Sequence, residues 1–183
     1  MKSKIKSLEE LIPIVSARRD AGKTTIVFTN GCFDLLHIGH IRYIQEAKKL
    51  GDLLIVGLNS DTSVRSLEKA QGRPIIPGVQ RAEVLSALAC VDYVVPFDDP
   101  DPLRLIEGLL PDVLVKGGDW SLDRIIGRDV VEAHGGMVYS IPLVPDISTT
   151  KIIERIQSTL PQPPSQKTLA SDKGPSATSK TVL

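Results

Sequence analysis

Cysteine is nearly absent. Cys32 and Cys90 are the only two in 183 residues. They form no C-x-x-C pair and no disulfide framework, so a reducing compartment is expected. An excess of either charge is also missing: 22 Lys and Arg stand against 22 Asp and Glu, for a net charge of zero. Nucleic acid as the main partner is thereby disfavoured, although a local basic patch facing a small anion is not. The N-terminal stretch "MKSKIKSLEELIPIVSARRD" has no long apolar run. It reads as neither a signal peptide nor a membrane span, so a cytoplasmic protein with no membrane partner is expected. There is no internal repeat and no G-x-G-x-x-G. "AGKTT" (Ala21–Thr25) resembles the end of a Walker A loop, but Ala17 stands where that loop needs its first glycine. The stretch also precedes a strand rather than following one, which excludes a P-loop. Histidine is scarce too, and two of the three sit together as His37 and His40.

What is present is ordinary for a globular protein: 42% apolar and 24% charged residues. Apolar positions Leu8, Leu11, Ile12 and Val15 recur at helical spacing over 7–19. The β-branched run at 24–29 reads as a buried strand. Further strands are expected at 52–59, 91–97 and 112–117, and in "GGMVYSIP". Helical patterns fall between them, at 40–50, from Gly78 through Leu88, at 102–110, near 123–134 and at 149–159. Nearly apolar strands alternating with helices indicate a parallel sheet covered on both faces. With right-handed crossovers this is a Rossmann-like, doubly wound α/β fold with a five-stranded sheet and a single domain. Its parts are an N-terminal helix and turn (1–23), the main domain (24–160) and a Pro/Ser-rich tail (161–183) expected to be disordered.

Ligands in such folds gather at the carboxyl ends of the strands. "FTNGCFDLLHIGH" leaves the first strand there. Asn30 and Gly31 make a tight turn that lets backbone N–H groups approach an anion. A helix starting near Leu35–Ile38 adds its free N–H groups and positive dipole end. His37 and His40, at i and i+3, can both donate to phosphoryl oxygens, with Gly39 leaving room between them. Three readings of the pair remain open: a phosphate site, two solvated first-turn residues with Asp34 as helix cap, or zinc held with Cys32. "DISTT" places Ser148, Thr149 and Thr150 at another helix start, which is either a second phosphate cradle or a plain cap. "VKGGDW" offers Lys116 for phosphate, Gly118 for close approach, and Asp119 and Trp120 for a sugar or base. The alternative is a glycine turn beside a buried Trp. Arg65, Lys69, Arg73 and Arg81 spread over the loop and helix after the second strand. They are either a ligand-facing patch or a solvated face.

Taken together, "HIGH", "KGGDW" and "ISTTKI" in that order resemble the HxGH nucleotidylyltransferase superfamily, over about Thr24 to Ile156. Within it, "NGCFDLLHIGH", "LNSDTSVRSLEKAQGRPI", "VKGGDW" and "STTKIIERI" are most similar to the heptose 1-phosphate adenylyltransferases. The resemblance implies transfer of AMP from ATP to a sugar 1-phosphate, releasing pyrophosphate, with Mg²⁺ carried on the nucleotide phosphates and no dedicated metal site. It implies that His37 and His40 bind the α- and β-phosphates, with Lys69 also in a catalytic role. Ser148, Thr149 and Thr150 hold the β- and γ-phosphates. Asn30, Gly31, Cys32, Phe33, Asp34, Gly39, Arg81, Lys116, Gly118 and Asp119 contact the nucleotide. Asp34, Arg65, Lys69, Arg73, Lys116 and Trp120 are assigned to the acceptor. It further implies a homodimer through "ALACVDYVV" and a separate upstream sugar kinase. A cytidylyl- or adenylyltransferase for another acceptor such as glycerol 3-phosphate is the alternative, and a non-catalytic nucleotide sensor a remote one.

Overall fold

The computed structural model describes residues 3–67, 72–118, 121 and 124–160. The chain opens with helix α1 (Leu8–Asp20), fixed by a reciprocal cap: Ser7 Oγ accepts the Glu10 N–H, and the Glu10 carboxylate accepts the Ser7 N–H. It then alternates through β1 (Ile26–Gly31), α2 (Ile38–Lys48), β2 (Leu53–Asn59), α3 (Asp61–Ser66), α4 (Gly78–Ser86) and β3 (Tyr93–Phe97). The second half holds α5 (Leu103–Leu109), β4 (Val113–Gly117), α6 (Arg128–Ala133), β5 (Met137–Ile141) and α7 (Thr149–Thr159).

All strand pairs are parallel, and the sheet order is β3-β2-β1-β4-β5. The expected doubly wound α/β architecture is therefore observed. Each face of the sheet has its own core. Ile26, Phe28 and Ile55 pack on one side with Leu11 of α1, Ile106 of α5 and Val131 of α6. Val27, Leu54 and Val56 pack on the other with Tyr43 and Ile44 of α2 and Leu85 of α4. Alternate side chains of one apolar strand supply the two faces, which is why the strands carry almost no polar residue.

The register positions the site. β1 pairs with β2 over its whole length, from Ile26↔Leu53 to Gly31↔Leu58. Against β4 it pairs only from Val27↔Val113 to Thr29↔Val115. Beyond Thr29 the two strands part, and the order of connection reverses between them, which opens a crevice at their carboxyl ends.

Some expectations are corrected. A short helix, α3, lies directly after β2, capped by Ser60 Oγ on the Ser63 N–H. The helix expected near 123–134 is shorter among the described residues, beginning at Arg128 after Gly127, whose φ of 86° favours glycine. β5 is the sheet edge, and it exposes Met137 and Tyr139. The opposite edge is covered: Lys6 donates to the Val94 carbonyl and Val94 to that of Lys4, placing Ile5 in a parallel bridge beside β3. α1 contributes Leu8, Leu11 and Val15 to the main core, so the N-terminal helix is integral to the domain. Among the described residues, no helix is long and apolar enough to cross a membrane. The tail from 161 lies outside the described residues.

Candidate active site

A cavity of about 590 Å³ sits at the carboxyl ends of the strands, where β1 and β4 part. Its floor is the stretch after β1. Phe33 takes the left-handed conformation, φ 44°, and its ring folds back over Gly31, where a Cβ would lie 3.0 Å from it. A side chain at 31 would displace that ring, and the ring in turn meets His40 edge-on at 5.4 Å. Cys32 is largely buried and forms part of the cavity wall.

His37 is the N-cap of α2, accepting the Gly39 N–H on Nδ1 at 3.1 Å. Asp34, expected as a possible cap, does not fill that position. With Nδ1 accepting, the neutral imidazole carries its proton on Nε2. Burial pushes the His37 pKa down from its ordinary value, so the ring is neutral at pH 7. The His37 and His40 rings stack with centroids 3.9 Å apart. Gly39 lines the cavity and also makes room within the protein. A Cβ there would lie 3.0 Å from the His37 ring and 3.3 Å from Ile147, so the missing side chain lets these two close on the helix start.

Ile147 brings the second motif. Ser148 caps α7 by accepting the Lys151 N–H at 3.1 Å. The Thr149 hydroxyl donates to the Leu35 carbonyl at 3.5 Å, tying α7 to the loop before α2. Thr150 is exposed at the rim. Segments a hundred residues apart thus line one cavity, with His37, His40, Ser148, Thr149 and Thr150 all on its wall. Across the parting strands, Lys116 Nζ donates to Asn30 Oδ1 at 2.6 Å, so β1 and β4 are laced where their backbones no longer pair. Deeper, the Tyr43 hydroxyl bridges Thr29 and the Val115 carbonyl, and burial pushes its pKa up.

Asp34 organises the other wall. It is 3% exposed, and its carboxylate accepts the N–H groups of Ile75 and Ile76 and pairs with Arg73 Nε at 3.0 Å. Burial alone would raise its pKa, but the two N–H groups and the Arg73 guanidinium outweigh it and hold the carboxyl below its usual value. Arg73 also faces the cavity.

Arg81 is a correction. It was expected to add charge around a triphosphate, but it does not line the cavity. It is 1% exposed and donates to the carbonyls of Ile76, Cys32 and Asn59 and to the Asp61 carboxylate. It is an internal strut beneath the site. Arg65 is exposed on α3, away from the cavity wall. Gly118, with φ 110°, turns the chain after β4 and donates to the Ile141 carbonyl without lining the cavity. Lys69, Asp119 and Trp120 lie outside the described residues. Among the described residues no three of His, Cys, Asp and Glu converge to hold a metal ion, which leaves the zinc reading of Cys32, His37 and His40 without a ligand set.

Sequence reasoning passed over Asn59, Asp101, Arg124 and Leu143, which also line the cavity. Asn59 carried a signal, as a lone amide ending an apolar strand at its ligand-facing end.

Residues 28–155 match the cytidylyltransferase-like family. The chain belongs to that family. A cytidylyltransferase-like domain of this kind is a nucleotidyltransferase, and the Rossmann-like sheet and crevice described above are its frame. The chain is 56% identical to the bifunctional protein HldE of Geotalea uraniireducens over 156 residues, covering 85% of this chain and 31% of that protein. It is 55% identical to the HldE of Syntrophotalea carbinolica over 154 residues, covering 84% and 31%. The chain thus spans about a third of the length of these curated relatives. Among solved structures, the lipopolysaccharide core biosynthesis protein of Thermoplasma volcanium matches with a TM-score of 0.56 at 30% identity, covering 67% of this chain and 98% of that one. Pantoate-beta-alanine ligase of Francisella tularensis, solved in complex with beta-gamma ATP and beta-alanine, shares the fold at a TM-score of 0.54 and 15% identity, covering 84% and 76%.

Proposed function

We propose that this cytidylyltransferase-like domain transfers AMP from ATP to a sugar 1-phosphate, D-glycero-β-D-manno-heptose 1-phosphate, giving ADP-heptose and pyrophosphate for lipopolysaccharide core or related glycan synthesis. The observation that carries the reading is the convergence of the stacked His37 and His40 with Ser148–Thr150 on one cavity wall. Two donor-rich helix starts facing one space suit a chain of phosphates.

In this reaction an oxygen of the acceptor phosphate forms a bond to the α-phosphorus while the bond from that phosphorus to the β-phosphate bridge breaks. The attacking phosphate is already ionised, so the protein's task is positioning and charge stabilisation. His37, neutral and with its proton on Nε2, donates to a phosphate oxygen without having to lose or gain a proton. His40 and Lys116 add donors beside it, and Ser148 and Thr150 receive the leaving pyrophosphate. Arg73, steadied by Asp34, meets the acceptor phosphate. Lys69, Asp119 and Trp120 keep their proposed catalytic, ribose and acceptor roles. Mg²⁺ travels with the ATP phosphates. The described residues offer it no carboxylate cluster, since Asp34 is occupied by Arg73 and two N–H groups.

The protein is further proposed to work in the cytoplasm as a homodimer, on a sugar 1-phosphate made by a kinase. In the "ALACVDYVV" segment, Val91, Val94 and Val95 are interior, so α4 beside it offers the exposed apolar residues, Val79 and Val84.

Pyrophosphate release should be measured with ATP or CTP against heptose 1-phosphate or glycerol 3-phosphate. Turnover with ATP and the heptose acceptor is expected. Preference for CTP with glycerol 3-phosphate would replace this reading with the cytidylyl one. ATP binding without release from any acceptor would leave only a nucleotide sensor.

A further inference from the structure

Asn59 ends β2 with an amide after six apolar or glycine residues, and it is only 4% exposed. Its Nδ2 lies 2.9 Å from Ser63 Oγ, and Ser63 Oγ lies 3.0 Å from the Asp99 carbonyl. A carbonyl only accepts and a hydroxyl has one proton. The Ser63 proton therefore goes to Asp99, and the atom Asn59 sets against Ser63 must be its NH₂. The reverse amide orientation would leave two oxygens facing one another with no proton between them. The network thus fixes which end of the amide points which way. Oδ1 is turned from Ser63 and accepts from no described residue, and Asn59 lines the cavity. The backbone around it is pinned, with its own carbonyl taken by Arg81 at 2.8 Å and the next N–H given to Phe97 at 2.9 Å.

We infer that Asn59 reads a hydroxyl of the acceptor sugar: its Oδ1 accepts a hydrogen bond from a ligand O–H. An amide oxygen, which only accepts, disfavours phosphate, whose oxygens at neutral pH are themselves acceptors. A hydroxyl supplies the missing donor. Asp101, on the loop after the neighbouring β3, lines the same cavity. One of its carboxylate oxygens accepts the Leu103 N–H at 2.9 Å. This flank of the cavity is therefore rich in acceptors, as a polyol requires. The opposite flank offers the apolar Ile126, Leu143, Val144 and Ile147 beside Arg124, a surface that suits a base. The sheet order separates the two, with β2 and β3 on one side of β1 and β4 and β5 on the other. Sugar and nucleotide are sorted by the two halves of the sheet, and the phosphates meet between them.

This inference rests on the proposed sugar acceptor and specifies how that acceptor is recognised. The test crosses the enzyme with the substrate. Wild type, Asn59→Ala and Ser63→Ala are assayed by pyrophosphate release with saturating ATP. The acceptors are heptose 1-phosphate and its analogues, each lacking a single hydroxyl. Wild type is expected to lose roughly 5- to 100-fold in kcat/KM on one analogue. Asn59→Ala should lose a similar factor on the parent sugar, through acceptor KM, and little more on that analogue, with the KM for ATP unchanged. Ser63→Ala, which keeps Oδ1 but frees the amide to turn, should lose a smaller factor in the same pattern. Equal losses by Asn59→Ala on every acceptor, or a raised KM for ATP in place of the acceptor, would overturn the inference and leave the adenylyl reading standing. A wild type that accepts no sugar 1-phosphate would overturn both.

Discussion

Replacing Arg81 with alanine removes a guanidinium whose side chain is 0% exposed. Its Nε donates to Ile76 O at 2.9 Å, Nη1 to Asn59 O at 2.8 Å and also to Cys32 O, and Nη2 to Asp61 at 2.7 Å. The alanine variant leaves three carbonyls without their donor, and these belong to the loop after β1, the end of β2 and the loop before α4. The Asp61 part of the loss is discounted, because that side chain is 35% exposed and water can replace the guanidinium. The enclosed Cys32 and Asn59 carbonyls have no such replacement. Leaving a buried acceptor without its donor costs about 1–3 kcal/mol, so losing the donor to these carbonyls costs about 3–5 kcal/mol in all. For a domain of this size each kcal/mol lowers Tm by about 2–4 °C, so a fall of about 6–20 °C is expected. Urea unfolding should show a lower midpoint at unchanged slope. Lysine at 81 keeps the charge but cannot fork to separate carbonyls, so it should recover only part of the loss. If Arg81→Ala shifted Tm by less than about 2 °C while raising the KM for ATP many-fold, the residue would be a ligand contact and the strut assignment would be wrong.

His37→Ala and His40→Ala should each cut turnover about 10²–10³-fold with the circular dichroism spectrum unchanged; near wild-type rates in both would refute their role. His37 has a depressed pKa, so the unfolded chain binds its proton first. Stability should therefore fall as pH drops below the ordinary histidine value of 6.5, and His37→Gln should flatten that slope in pH-dependent melts. Asp34 also has a depressed pKa, and its contribution is present above the ordinary value of 3.8 and lost as pH falls through the lower folded value. Asp34→Asn should mimic that loss at neutral pH and raise hydrogen exchange at the Ile75 and Ile76 amides. Tyr43→Phe deletes a buried hydroxyl that Thr29 and Val115 both engage, and should cost about 1–3 kcal/mol in urea unfolding.

The sheet was legible because apolar strands announce themselves: "IVF", "LLIVGL" and "VLV" carry no polar residue to confuse the period. The site's backbone was legible for a related reason, since glycines, histidines and hydroxyls stood where strands end. What stayed hidden depends on partners distant in the chain. Arg81 sits on an amphipathic helix, where a cation ordinarily faces water, and only folding brings the Cys32 and Asn59 carbonyls around it. Asp34 has the spacing of a helix cap, but its partners come from the 73–76 loop, forty residues on. α3 escaped notice because its six residues are too short to show a period, although Ser60 followed by Asp61 was a usable start signal. Gly39 was assigned a need for space toward a ligand, and it also makes room for Ile147 and the His37 ring.

The strip at 4–6 beside β3 bears on how this domain can be cut. The recognisable motifs begin near Thr24, and an expression boundary chosen from them would discard α1 and the strip together. It would uncover the β3 edge, whose Val94 N–H and carbonyl would then be open to pairing with another molecule, and strip Leu8, Leu11 and Val15 from the core. A piece trimmed to its signature motifs should therefore aggregate while keeping every residue of the cavity, and poor solubility of that piece would say nothing about its chemistry.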